Sequence, residues 1–432
     1  MQQAAADPES APLDWPARAR RLGFRFGALY FALYFFPFPL AALFRSPEQL
    51  DWYATPAARL WDPIVNATGH LLGAHTPLSV APPHNSSDGL ASYVQLVSFA
   101  LVAAVSATLW SILDRERPRE RGDDFLRVWL RYVLAAMLLA YGFAKVFPQQ
   151  MPLPEPSTLL TTYGRSHPMT LLWTFMGASP AYEVMAGLAE VGGAVLLFAR
   201  RTAPLGALVV AAVMSNVVAL NICYDVYVKQ LAIHLLLLAL FLFLPSLPRF
   251  FRAMALGCAV PATKLDEPIG SSRPRGRLAL KVGAVGCIVY AQAAPSARHY
   301  FEDADGAPLP DLYGIYDVEE MRRNDEVVPP LLTDATYWRH VYIGRRRSGV
   351  ELVDGGRVAF ALARDRETSA GATWSFAGKD AKLSVSRAEN QRLLFEGTIA
   401  GEQVRVRVRP TDDENLRLVR TRIHWVNSGL LW

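Results

Sequence analysis

Cysteine is scarce in this chain, with three among 432 residues. Cys223, Cys258 and Cys287 form no Cys-x-x-Cys pair, so neither a disulfide framework nor a thiol-redox motif is available. No metal-ligand cluster or paired haem-type histidines can be read from the sequence, which leaves electron transfer within this one chain without ligands. Charge is thin as well: 19% of residues are Asp, Glu, Lys or Arg against 52% hydrophobic, and the mean hydropathy is +0.16. That balance leans away from an ordinary soluble protein. Lysine is rarest of all. Six of the 44 basic residues are lysines, and only Lys145 and Lys229 precede residue 264.

Long apolar runs are what the chain has in excess. Runs of about 20 residues, enough to cross a bilayer as a helix, occur at about 25–44, 92–113, 126–147, 182–199, 203–222, 229–246 and 278–296. The first follows a long polar leader, ends in "FPFPLAALFR" and lacks a small-residue cleavage site, so it reads as an uncleaved anchor. Arginines mark alternate loops: Arg18, Arg20, Arg21 and Arg25, then Arg115, Arg117, Arg119 and Arg121, then Arg200 and Arg201, then Arg249, Arg252, Arg273, Arg275 and Arg277 with Lys264. The positive-inside rule therefore expects a multi-pass protein of the cell inner (plasma) membrane with a cytoplasmic N-terminus. Seven spans would leave the C-terminal region outside. The net charge of +5 reports this topology, and basic residues spread over loops give no support to nucleic-acid binding.

Beyond residue 297 the pattern changes to short alternating segments such as "RVAFALARD" (357–365), "RLLFEGTI" (392–399) and "VRVRVR" (404–409), separated by turn signals. Period-two alternation means strands with one buried face, and about eight of them suit a small antiparallel barrel or sandwich. "VRVRVR" reads as a solvated strand face before it reads as a basic patch. Trp338, Trp374 and Trp425 either fill the barrel or line a ligand cavity. Two outer loops are long. Residues 45–91 carry an amphipathic segment with Trp52 and Trp61, and the glycosylation-type "NAT" and "NSS" there are patterns expected by chance. Residues 148–181 hold six prolines and an apolar stretch too short to span, a candidate lid.

Polar residues inside the spans ask for partners, because a charge in hydrocarbon is expensive unless paired or snorkelling. Glu183 and Glu190 lie seven apart on one helical face; Asn216 and Asn221 fall in the next run, followed by Asp225 and Lys229; Gln230 and His234 share a face of the run after that. From the 1.5 Å helical rise, Glu190 lies ~12 Å, Asn216 ~9 Å and His234 ~8 Å from the outer ends of their spans, and Lys145 ~3 Å. The expectation is a shared polar site in the outer half of the bundle, with Glu190 balancing Lys145. Snorkelling of Lys145 is the competing expectation.

The block 128–248, with "AYGFAKVF", "GLAEVGGAVLLFARRTAPLGAL" and "NVVALNICYDVYVKQLAIHLLLLALFLFLP", resembles the DoxX-like membrane proteins. That resemblance implies a four-helix core. The family's Gly-x-x-Lys matches Gly142 and Lys145, and its Glu-x-x-Gly-Gly-like pattern is similar to Glu190, Gly192 and Gly193 with the spacing one residue shorter. The terminal "IHWVNSG" (423–429) is comparable to the last strand of extended bacterial members. The expected division is a leader (1–24), two N-terminal spans with a long outer loop (25–127), the core (128–248), a cytoplasmic loop (249–277), a last span (278–296) and an extracytoplasmic β domain (297–432). Some DoxX-like relatives are subunits of a thiosulfate:quinone oxidoreductase and others are assembly factors. Two functions follow as expectations. One is a binding or assembly protein for membrane lipid, or for another protein recruited through the β domain. The alternative is a quinone-linked oxidoreductase subunit, which would need a redox partner because no cofactor is evident in this chain.

Overall fold

In the computed structural model the residues described are 15–36, 51–79, 88–113, 120–260, 274–303, 305–368, 371–378, 381–411, 416 and 418. Eleven α-helices precede the strands among them: α1 (Trp15–Phe35), α2 (Asp51–Leu71), α3 (Leu90–Leu113), α4 (Glu120–Val146), α5 (Pro156–Leu159), α6 (Pro168–Gly177), α7 (Pro180–Phe198), α8 (Ala203–Cys223), α9 (Lys229–Phe243), α10 (Leu247–Met254) and α11 (Pro274–Asp303). Among the described residues six stretches are long and apolar enough to cross a membrane: Leu90–Leu113, Gly122–Val146, Pro180–Phe198, Ala203–Cys223, Lys229–Met254 and Leu278–Asp303. Of the run at 25–44, α1 describes the first part, and residues 37–44 lie outside the described residues. So do "NSS", Trp425 and "IHWVNSG", along with the side chains of Trp52 and Trp374.

The chain divides into two compact units, 1–147 with 184–297 and 148–183 with 298–432. In the first, apolar stripes at helical spacing face a common core. Ala28, Phe31 and Phe35 of α1 meet Leu134 and Leu138 of α4, Leu197 of α7, Val210 and Met214 of α8, and Leu235, Leu238 and Phe243 of α9. Helix α4 is the most enclosed, since Leu130, Val133, Leu134, Ala135, Leu138 and Leu139 leave almost no exposed face along its middle. Helix α9 begins where both carboxylate oxygens of Asp88 accept the backbone N–H groups of Lys229 (2.9 Å) and Gln230 (3.0 Å). These donors have no partner inside the helix, so Asp88 sets its start.

Among its described residues the second unit has nine antiparallel strands: β1 (Gly314–Arg323), β2 (Glu326–Val328), β3 (Trp338–Ile343), β4 (Ser348–Leu352), β5 (Arg357–Thr368), β6 (Gly371–Gly378), β7 (Ala381–Arg387), β8 (Leu393–Ile399) and β9 (Glu402–Pro410). From β3 to β9 each strand pairs with its sequence neighbour, while β1 pairs with β3 through 314–317 and with β9 through 316–323. The sheet thus closes on itself through β1, and β2 forms only a short hairpin with it. Alternation decides the faces. Val404, Val406 and Val408 enter the core with Met321, Val341, Val385 and Phe395, whereas Arg405, Arg407 and Arg409 point outward. Each of those arginines meets a carboxylate on a neighbouring strand: Glu396 at 2.6 Å, Glu320 at 2.7 Å and Asp317 at 3.9 Å. Trp338 fills the core against Phe395 and Phe360.

The stretch 148–183, expected within the core 128–248, instead groups with the β unit that follows residue 297. Arg357 of β5 donates to Ser157 O (2.8 Å) and Thr161 Oγ1 (3.0 Å), and Leu153 N–H donates to Asp305 Oδ2 (2.7 Å). A proline-rich segment has few backbone bonds of its own, and arginine and aspartate side chains of the β unit supply the partners it lacks.

Candidate functional site

Helices α4 and α7 run antiparallel, since Tyr132 meets Phe198 (ring centroids 5.2 Å) near one end while Gly142 meets Gly187 near the other. At the glycines the two backbones touch. A Cβ on Gly187 would sit 2.6 Å from Gly142 O and 2.8 Å from Val146 N, and one on Gly142 would sit 3.1 Å from Gly187 O and 3.2 Å from Val191 N. Lys145 and Glu190 each lie three residues beyond one of these glycines. Side chains lean toward the N-terminus of their own helix, so in antiparallel helices Lys145 and Glu190 reach back across the crossing toward each other.

They meet there. Lys145 Nζ donates to Glu190 Oε1 at 2.8 Å, with side-chain exposures of 6% and 3%. Lys145 does not snorkel: it forms a buried ion pair. Glu190 Oε2 is also buried and has no hydrogen-bond partner among the described residues. Tyr141, one turn before Lys145, has its ring centroid 5.9 Å from Nζ, and its hydroxyl is close enough to interact electrostatically with Glu190.

A second polar group lies between α1 and α9. His234 Nδ1 is 2.6 Å from Gln230 O and Nε2 is 2.7 Å from Tyr30 Oη. A carbonyl only accepts, so Nδ1 carries the proton and Nε2 accepts from the Tyr30 hydroxyl. Tyr34 stacks on the imidazole at 3.9 Å with the rings 5° from parallel. Both ring nitrogens of His234 are thus committed to helix packing. Gln230 is buried beside it, and its Nε2 has no partner among the described residues. Tyr34 also lies within electrostatic range of Tyr141.

The other expected site residues fall elsewhere. Asn216 is exposed on α8, whose buried stripe is Gly206, Ala207, Val210, Ala211, Met214 and Asn221, so it does not join Lys145 and Glu190. Five residues on a helix turn through about 500°, which puts Asn216 well off the face that Asn221 buries. Asn221 Nδ2 donates to Val228 O, at 3.5 Å. Asp225 and Lys229 form an ion pair of their own at 2.6 Å, with side-chain exposures of 59% and 22%. Glu183 is buried in the β unit, where its Oε1 accepts Met151 N–H at 3.0 Å. Sequence reasoning missed Tyr30, Tyr34, Asp88 and Tyr141. For the crossing itself the signal was available: Gly-x-x-Lys at 142–145 and Gly-x-x-Glu at 187–190 carry the same spacing.

These features define a multi-pass α-helical membrane protein with a C-terminal antiparallel β domain. Over 112 residues, 26% of this chain, the sequence is 37% identical to the uncharacterized protein YwoB of Bacillus subtilis (strain 168), a match that covers 71% of that protein. The chain belongs to the family of YwoB. No family model and no solved structure matches it.

Proposed function

We propose that this chain is a membrane binding or assembly protein in which the Lys145–Glu190 site holds an amphipathic small molecule or lipid. The observation that carries the reading is Glu190 Oε2, a buried acceptor with no hydrogen-bond partner among the described residues, beside an ion pair that already occupies Oε1. A buried acceptor left unmade is destabilising, and a ligand hydroxyl or ammonium supplies the missing donor. Membrane lipids with hydroxylated or amino headgroups fit this chemistry. So does a quinol, the reduced form of a quinone, whose hydroxyl would donate to Oε2 while Lys145 donates to its second oxygen. With a quinol as occupant the chain would serve a quinone-linked oxidoreductase through a redox partner. In this reading the bundle crosses the plasma membrane with its N-terminus in the cytoplasm, and the β domain meets a protein partner outside.

Native mass spectrometry of the full chain, released from mild detergent, tests the proposal. A discrete small-molecule adduct is expected on the wild type and is expected to be lost in Glu190→Gln. An adduct retained at equal occupancy in the variant, or a wild type that is empty, refutes the site.

A further inference from the structure

The end of the bundle opposite Lys145 brings cations from several elements together. Arg131 lies 14 residues before Lys145 on α4, about 21 Å along the axis and so near the other face of a ~30 Å hydrocarbon layer. Its Nε is buried and has no hydrogen-bond partner among the described residues. The ring of the next residue, Tyr132, packs edge-on against Phe198, which brings this turn of α4 beside the end of α7 and the Arg200 that follows it. Arg131 and Arg200 are close enough to repel each other. Lys281, in the first apolar turns of α11 and one turn before the Val285 that packs on the core, feels both arginines. Three helices therefore deliver three positive charges to one place, and neither Arg131 nor Lys281 has a carboxylate partner among the described residues.

Like charges converging at the edge of a low-dielectric layer are unfavourable unless an anion sits among them. A planar guanidinium such as that of Arg131, whose Nε has no hydrogen-bond partner among the described residues, suits the oxygens of a phosphate. The depth and the flanks narrow the source. Leu278, Leu280 and Val282 stand exposed on both sides of Lys281, an apolar surface suited to acyl chains, and basic clusters between helix ends at headgroup level favour anionic lipids. We propose that Arg131, Arg200 and Lys281 form a phosphate-binding site occupied by the headgroup of an anionic membrane lipid. This site is separate from the one at Lys145 and Glu190, and its test does not depend on that one.

The full chain in neutral detergent is melted with increasing phosphatidylglycerol, with phosphatidylcholine, whose choline offsets the phosphate, and with inorganic phosphate at constant ionic strength. A saturable rise in Tm is expected with phosphatidylglycerol alone. Lys281→Gln is expected to raise the half-saturating concentration by roughly fivefold, the effect of about one cation at the membrane surface. Arg131→Gln with Lys281→Gln is expected to abolish the rise, while Arg127→Gln, at an exposed position paired with Asp124, leaves it intact. Should the double variant fail to fold, Lys281→Gln carries the test by itself. A Tm response to phosphatidylglycerol unchanged in Lys281→Gln overturns the site, and an equal response to inorganic phosphate overturns its assignment to lipid.

Discussion

Lys145→Met and Glu190→Gln, singly and together, test the ion pair at the α4–α7 crossing. Each single change leaves the other polar group buried, because the site is at most 6% exposed and its neighbours are packed helices. Breaking one side of a buried pair commonly costs about 3–5 kcal/mol, most of it the penalty of stranding the remaining charge. At roughly 2–4 °C per kcal/mol for a domain of this size, each single variant is expected to lose about 6–20 °C in Tm in detergent. The double variant strands no charge and is expected to recover much of that loss, so the cycle closes with a large coupling energy. Lys229 provides the internal control. It pairs with Asp225 at a similar distance but at the surface, so Lys229→Gln is expected to cost no more than about 1 kcal/mol. The assay is thermal unfolding followed by circular dichroism at fixed detergent and lipid. Mild, additive effects at Lys145 and Glu190, indistinguishable from Lys229→Gln, would refute the inference that burial makes this pair matter.

Three further outcomes are expected. Gly187→Ala puts a methyl against the Gly142 carbonyl and the Val146 amide, backbone atoms that cannot swing away, and should lower stability by about 1–3 kcal/mol. Gly192→Ala on the same helix meets open space, so its Tm should move far less, and equal losses at both positions would sink the close-approach argument. A fusion of residues 148–183 to 298–432 is expected to melt at higher temperature than 298–432 alone, with Arg357→Ala removing part of the difference, while identical melting curves would separate the segment from the β unit. With the exposed Cys223, Cys258 and Cys287 first replaced by serine, Arg201→Cys should resist an impermeant thiol reagent in intact cells and Glu402→Cys should react, and the reverse pattern would invert the topology.

Residue order by itself determined the class of this protein, for reasons that are local. A helix in hydrocarbon must satisfy its backbone internally and be apolar over about 20 residues, so the spans at α3, α4, α7, α8, α9 and α11 are written as runs. A strand with one buried face must alternate, so "VRVRVR" announced the valines inward and the arginines outward of β9. The rarity of lysine and the depth of Glu190 also marked both members of the ion pair.

Which polar groups meet is a matter of rotation about helix axes and of which helices are neighbours, and only the tertiary structure decided it. Depth counted along a span says nothing of the face, so Asn216 was expected beside Lys145 although α8 turns it outward. His234 was at a suitable depth, yet packing of α9 against α1 commits both its nitrogens to Gln230 and Tyr30. The proline-rich 148–183 stretch gave no sign of its partners, because Arg357 and Asp305 lie far along the chain. Lys145 and Glu190 found each other through two glycines 45 residues apart that let the α4 and α7 backbones touch, a contact that neither helix specifies alone.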